Sequence, residues 1–553
     1  MSFHKLFSSN NRSTRRELFS GSGLLYVKSD DCFVPIIEGK RMGSFSLILY
    51  ENRSEQLPYS FVLVDEEEGE VLKQSLGSGL SLAHCYRECS VHWLSLVDGT
   101  FQNLAFKFVD LESGGSGEIV TRKFVEMYNR CTYSMLTQTP LDVSTAQDPI
   151  YEYIGQTSTY VAPEDDYSEP TYHLDLDRER VKATGSGNVC YSESMKHNRI
   201  VVVRETQNEV QLQAHSYDAN GFEGRKPETI DLKSVQTCDG ALIDDLERKL
   251  LLFSVEDSHL REVDLERGEV VQQFRTPVNL QRVTYSEHVA RPEPIYTCLA
   301  KDVAFNVDLR IDPRKNVIVE DGMSLADYKL GSLRKPFTCH ATSANGYLVI
   351  GDGTGSVRLY TGPPGSRRKD GSHNPKTAKT LLETKVPIVD IDVTANGQYV
   401  VAVCEKFLLL MRTACGNDGE KNGFTSRMGQ DKPSPLRLQP TPAQLSALGG
   451  IEALKFTSGG FDRYEGNGEV CITACSGAYL FTWSLEAAKR AEETGRTCLS
   501  QAAAVQQEVI NAGAKIANRI VYQTDKDIRM APLVREEFRE TGLRHFGWRS
   551  TSE

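Results

Sequence analysis

Two stretches of the chain, SANGYLVIGDGTGSVRLY from Ser343 to Tyr360 and TANGQYVVAVCEKFLLLMR from Thr394 to Arg412, repeat one pattern. Each has a polar lead, an Asn-Gly pair, an alternating apolar run, a break and a second apolar run. An Asn-Gly pair suits the φ > 0 positions of a type I′ turn, whose twist matches the strands it joins. The flanking runs are too short for helices and too β-branched to prefer one. The pattern predicts adjacent blades of a β-propeller. Asn345-Gly346 and Asn396-Gly397 lie further apart than the roughly 40–45 residues of a WD-type repeat, and an insertion at 362–380 accounts for the excess.

Strand-like runs fill the chain on either side of this pair. They include RIVVVR (Arg199 to Arg204), KLLLFSV (Lys249 to Val255), LREVDLERGEVVQQF (Leu260 to Phe274) and IYTCLAKDVAFNVDLR (Ile295 to Arg310). EVCITACSGAYLFTWSL (Glu469 to Leu485) and NRIVYQTDKDIRMAPL (Asn518 to Leu533) follow. Residues 188–534 therefore read as a WD40-like β-propeller of about seven blades, with insertions at 362–380, 413–447 and 485–512. The first two insertions are rich in Gly, Pro and polar residues and read as mobile loops; the third, rich in Ala, Glu and Gln, predicts helix around a break at Gly495. Pairing of the last strand with one from the start of the domain would close the ring and remove its exposed edges.

The N-terminal part is a second unit. Residues 1–16 are a polar, basic tail, and 17–136 carry short alternating runs such as SFSLILY, YSFVLVD and FQNLAFKFVD. EIVTRKFVEMYNRCTYSM ends this unit, with Val120, Phe124, Met127, Tyr128, Cys131 and Met135 at helical spacing. A strand meander capped by one amphipathic helix is the pattern of a small pleckstrin-homology-like β-barrel, its helix covering the open end. Residues 137–187 hold ten acidic residues against three basic ones and five tyrosines, and read as an acidic, disordered linker. Within it EDDYSEP (Glu164 to Pro170) reads first as a solvated spacer and second as a docking or phosphorylation motif. Residues 535–553 form a C-terminal tail. The overall class is mainly β.

Composition narrows the chemistry. A net charge of −12 over 553 residues opposes general affinity for nucleic acid, which needs a basic face. The absence of an apolar run of about 18 residues and of a secretory leader, with thirteen cysteines scattered through strand patterns, reads as a cytoplasmic protein with buried thiols. No Gly-x-Ser-x-Gly, phosphate-loop or His-Glu-x-x-His motif occurs, which favours a protein without enzymatic activity or cofactor. His84, Cys85, Cys89 and His92 have ligand chemistry, but four ligands on one short stretch need a sharp reversal that no Gly or Pro supplies; packed thiols and no metal is the reading. Lys28, Lys40 and Arg41 are candidate lipid or anion contacts of the N-terminal unit, diluted by Asp30, Asp31 and Glu38.

The phrases DLERGEVV (Asp264 to Val271), VDLRIDPRKN (Val307 to Asn316), GYLVIGDGTGSVRLY (Gly346 to Tyr360) and PIVDIDVTANGQYVVAVCEKFLLL (Pro387 to Leu410) carry a resemblance. Over roughly 240–530 the chain resembles the vacuolar import and degradation family of the kind numbered twenty-seven. It departs from that pattern at Thr361, where an Asp would follow the strand, and in the long loop from Thr413. The resemblance implies a pleckstrin-like region joined to a propeller, and a non-enzymatic role in directing cargo to vacuolar or vesicular degradation. The expected partners are other proteins at the propeller faces and loops, with a membrane surface at the N-terminal unit and no nucleic acid. The alternatives are a phosphoinositide-dependent membrane adaptor on the periphery of vesicles and, third, a propeller hydrolase.

Overall fold

The computed structural model describes residues 15–536, apart from internal stretches of which 160–170, 286–294, 311–335 and 363–377 are the longest, together with Gly547–Trp548. The basic segment 367–377, the EDDYSEP motif and Lys40 lie outside the described residues. Two bodies of β-structure account for most of the chain.

Residues 15–108 form one antiparallel sheet in the order Leu82–Cys85, Ser90–Val97, Thr100–Phe108, Arg15–Ser29, Phe45–Asn52, Tyr59–Asp65, Gly69–Ser75. Alternation drives it: Phe45, Leu47 and Leu49 turn inward while Ser46, Ile48 and Tyr50 are half-buried on the other side. Helix α1, Gly117–Thr137, closes the inner face. Its Phe124, Val125, Tyr128 and Cys131 enter the core with Phe61, Trp93 and Phe106, and Val120, Met127 and Met135 pack at the margin. The helical face read from the sequence is the one used. Its other side, with Asn129, Arg130, Thr132 and Tyr133, is buried as well. That was not expected, because polar residues there mask an apolar period.

The second body is the β-propeller. Six sheets of four or five strands begin at Asn188–Ser194, Gly240–Ile243, Phe337–Thr342, Ile388–Val393, Ser458–Phe461 and Val509–Ile516, and a three-stranded sheet begins at Arg282–Tyr285. The first strands touch in sequence order, and Val509–Ile516 returns to Asn188–Ser194. The described blades thus number six complete sheets and one short one, where about seven like blades were expected; residues 311–335, which follow the short sheet, lie outside the described residues. The last sheet, ending in Asp527–Glu536, takes its outer strands from upstream of the first: Val181–Lys182 and Thr171–Leu174 both pair with it antiparallel. Part of the stretch read as a disordered linker is therefore the clasp of the ring, because an open sheet edge there gains a partner.

Three local readings need correction. Both Asn-Gly turns form, with Gly346 at φ 76° and Gly397 at φ 73°, but neither asparagine has a positive φ, so the turn is not type I′. Ser343 and Thr394 are the reason: each hydroxyl accepts from the backbone N–H of a tyrosine beyond the glycine, Tyr347 at 3.2 Å and Tyr399 at 3.0 Å, holding a wider loop. The 413–447 insertion is packed, not mobile, where it is described. Phe424 is 0% exposed and stacks on Tyr347 at 4.4 Å, and Leu436–Leu438 is the outer strand of its blade. Among the described residues of the 485–512 insertion only Leu485–Thr494 (α2) is helical; Gln501–Ala504 and the beginning of Val509–Ile516 are strands, since edge pairing overrides the helix preference of an Ala/Gln-rich segment.

Candidate functional site

The residues singled out in the N-terminal unit do not assemble into a site. Lys28 is half-buried near the end of Arg15–Ser29, opposite Phe33; Arg41 lies in the two-residue strand Arg41–Met42, and Lys40 is outside the described residues. His84 and Cys85 sit on one strand and His92 on the next, where Ala83 faces His92. The rings go to packing instead: His92 meets Phe33 at 5.2 Å and its Nε2 lies 2.9 Å from Ser90 Oγ, while His84 lies 4.3 Å from the Tyr86 ring. Burial lowers the pKa of His84 to about 4, with Arg122 adding, and that of His92 to about 3, with His84 adding. Among the described residues no three His, Cys, Asp or Glu side chains are grouped to hold a metal.

Convergence of charge occurs in the ring. Arg282 and Thr284 come from the short sheet, His340 and Thr342 from the next, and Asp390 and Asp392 from the one after. Their positions are far apart in sequence and share no motif; only the radial stacking of first strands brings them together. Arg282 Nη1 donates to Asp390 Oδ1, and the charge of Asp390 raises the arginine's pKa against the opposing effect of burial. Thr284 Oγ1 lies 2.9 Å from His340 Nε2, and Thr342 Oγ1 donates to the Tyr285 carbonyl at 2.8 Å. Asp390 Oδ2 accepts from Gly459 N at 3.2 Å and Asp392 Oδ2 from Phe461 N at 3.0 Å, reaching a fourth blade. Each carboxylate also accepts the N–H of the residue after it, at 2.9 Å. With their oxygens held this way, the two acids act as ties between blades.

The Asn-Gly turns supply a second set of ties. Ala344 N donates to the Ala395 carbonyl at 2.9 Å and Asn345 Nδ2 to the Asn396 carbonyl at 3.3 Å, so the two Asn-Gly turns bond to each other. Ala395 N then donates to Glu469 Oε1 at 2.5 Å in the next blade.

Two outcomes follow from the radial ties. A Cβ at Gly460 would lie 2.7 Å from Asp392 Oδ2, so Gly460→Ala is expected to cost about 1–3 kcal/mol in denaturant unfolding through the overpacking it forces. His340, 1% exposed, has its pKa lowered to about 3 by burial first and by Arg282 second. Below about pH 6.5 the unfolded chain takes up a proton that the folded ring refuses, so stability falls from there toward about pH 3. The His340→Gln variant is expected to lose less melting temperature over that range than the parent, and equal slopes would refute the assignment.

A third cluster joins the two bodies. Tyr133, near the end of α1, is buried in one cluster with Ile388, Val400, Ala402 and Phe407 of the propeller, against which Leu136, Ile150 and Tyr151 also pack. Tyr151 meets Tyr133 edge-on at 5.0 Å, and the Arg130 guanidinium lies 4.8 Å from the Tyr151 ring while donating to Glu126 at 2.8 Å and to the Asp142 carbonyl at 2.9 Å. Arg437 stacks over Phe407 at 4.5 Å; burial lowers its pKa to about 10, offset by Cys404 and by Tyr128 of α1. One helix thus serves two cores.

Similarity to known proteins follows the ring. A vacuolar import and degradation protein 27 of Schizosaccharomyces pombe is 28% identical over 251 residues, 43% of this chain and 29% of that protein. The protein of the same name in Saccharomyces cerevisiae is 24% identical over 338 residues, 58% of this chain and 40% of that protein, so the chain spans less than half the length of either relative. The β-propeller domain of Cps50 (Swd1) from Myceliophteria thermophila overlaps 66% of the chain and all of that domain at 9% identity, with a TM-score of 0.43 that is too low to weigh further. The pattern of the VID27 C-terminal WD40-like domain matches residues 186–541, beginning just ahead of the first propeller strand and ending just beyond the last. By its fold, and by a match that covers more than half its length, this chain belongs to that family.

Proposed function

We propose that the protein is a non-enzymatic interaction scaffold whose propeller faces and loops hold other proteins, in a pathway of vacuolar or vesicular import and degradation of cargo. The observation that carries the reading is the use made of the ring's converging charges. Arg282 and Asp390 are bonded across one intervening blade, and Asp390 and Asp392 to the blade that follows, which stiffens the ring as a frame and leaves recognition to its rims. The names of the relatives support the pathway. The N-terminal unit, read as pleckstrin-homology-like, adds a second docking surface, and α1 fixes its orientation toward the ring. The setting is the cytoplasm, at vesicle surfaces.

Affinity capture with the full chain tests this, beside a variant in which 363–377 is replaced by a short Gly-Ser link between the intact strands Ser356–Tyr360 and Lys379–Glu383. The scaffold reading expects the parent to retain a defined set of proteins and the variant to lose part of it. Retention of none by the parent would count against it. Sedimentation with phosphoinositide vesicles addresses the membrane alternative, which requires salt-sensitive binding weakened by Lys28→Ala.

A further inference from the structure

A groove opens between the first blade and the second. In the first sheet, Arg199–Glu205, Val210–Asp218 and Glu228–Leu232 pair so that Val201 stands opposite Ala214 and Ala214 opposite Glu228. Leu212 and Ile230 face each other two residues along, on the same side of the sheet. Across from them stand Ile243 and Leu265 of the second sheet, and the two sides leave a cavity of about 50 Å³. One water needs about 10–15 Å³ of such space, so there is room for several waters or for one branched aliphatic side chain. Val201, Leu212 and Ile243 are buried, while Ala214, Ile230 and Leu265 pack on the same apolar cluster and stay half-buried. The wall that carries Leu265 is a fixed turn. Asp264 Oδ1 accepts from the N–H groups of Glu266 and Arg267, each at 3.0 Å, and Gly268 N donates to the Asp264 carbonyl at 2.9 Å. Gly268 holds φ 68°, and a Cβ there would lie 3.2 Å from Ile230 Cγ2, so the turn rests directly on the first sheet. At the edge of the groove the Glu228 side chain is 77% exposed, with Arg199 Nη1 at 3.9 Å, beyond hydrogen-bonding distance.

We propose that this groove is a docking site for a basic, aliphatic peptide segment of a partner protein: one leucine-like side chain enters between the blades, and a Lys or Arg beside it in the partner meets Glu228. Two features select that chemistry. The lining is apolar, so a charged side chain placed there would lose its hydration without a partner. The exposed carboxylate at the edge, on a chain of net charge −12, draws a cation and repels an acidic segment. The fixed turn keeps the slot open in advance, so little ordering cost falls on the protein when the segment binds. The proposal rests on the scaffold reading and gives one of its docking surfaces a place and a partner chemistry.

The experiment selects a random linear peptide library displayed on phage against the full chain, then measures how the enriched peptides bind the parent, Ala214→Met and Glu228→Lys. Ala214→Met fills the cavity from a half-buried position, Glu228→Lys reverses the edge charge at an exposed one, and circular dichroism checks that both fold. The expected peptides share an aliphatic residue next to Lys or Arg. Their affinity should fall about 10- to 100-fold in Ala214→Met, the share of one buried aliphatic side chain, and several-fold in Glu228→Lys, with the second loss shrinking as salt is raised. Absence of that motif, or equal affinity for the parent and Ala214→Met, would overturn the proposal. So would self-association of the parent that Ala214→Met abolishes, since a second copy would then fill the groove. Affinity capture separates this from the scaffold reading: if Ala214→Met retains the same proteins as the parent, the groove proposal fails and the scaffold stands, and if the parent retains none, both fail.

Discussion

Phe124→Ala is expected to destabilise the protein by about 3–5 kcal/mol, and its effect should reach the propeller. Phe124 is 0% exposed and central to an aromatic cluster, with ring centroids 5.3 Å from Phe19, 5.6 Å from Phe108 and 6.2 Å from Phe61. Truncation removes most of that contact and leaves a cavity between the sheet and the helix that partial relaxation does not fill. The remote effect comes from α1 itself. Two and a half turns further along, the same helix places Tyr133 in the propeller cluster that holds Ile388, Val400 and Phe407, so loosening its N-terminal half slackens the anchor of its C-terminal half. Amide exchange is the measurement. Faster exchange in Ile388–Val393 and Tyr399–Cys404 as well as in Phe45–Asn52 is expected; loss of protection confined to the N-terminal sheet would show that the helix does not couple them.

The second large effect belongs to the seam where the ring closes. Arg204, 1% exposed, lies in the first sheet with Gln213 Oε1 at 3.5 Å from its Nη1. Burial lowers its pKa, while the charges of Asp525 and Asp527 in the last sheet hold it protonated. Asn188 completes the seam, its N–H donating to the Asp525 carbonyl at 2.6 Å and its side chain to the Thr524 carbonyl at 3.1 Å. In Arg204→Ala the buried carboxylate of Asp527 would keep Arg529, at 2.7 Å, and lose its other cation, so a loss of about 3–5 kcal/mol is expected. Arg204→Met, which restores the stem but not the charge, should recover only part of it in chemical denaturation. Full recovery would mean that packing, not charge, closes the ring.

Much of this was legible in the chain. Alternating runs and Asn-Gly pairs announced paired strands, and spacing in EIVTRKFVEMYNRCTYSM picked the helix face that meets the N-terminal core. Local patterns do this because burial on one face leaves a period. What stayed hidden depends on contacts between distant segments. Arg282, His340 and Asp390 share nothing but their place on first strands. Tyr133 sat among polar residues, and its place in a propeller cluster leaves no period in the helix sequence. Gln501–Ala504 has a helical composition, and only the open edge at Tyr479–Ser484 makes it a strand. The asparagines of the two turns were misjudged because Ser343 and Thr394 bond beyond the dipeptide.

The clasp of the ring also sets how the protein answers to tension. Thr171–Leu174 runs antiparallel to the end of Asp527–Glu536, with Thr171 opposite Glu536, so the chain enters and leaves the clasp at the same end. A pull applied between the segment before Thr171 and the segment after Glu536 therefore loads the rungs one at a time, from Thr171–Glu536 toward Leu174–Leu533, instead of shearing them together. A machine that hauled on both ends would unzip the propeller at its seam at low force, where the same rungs pulled in shear would resist as a group.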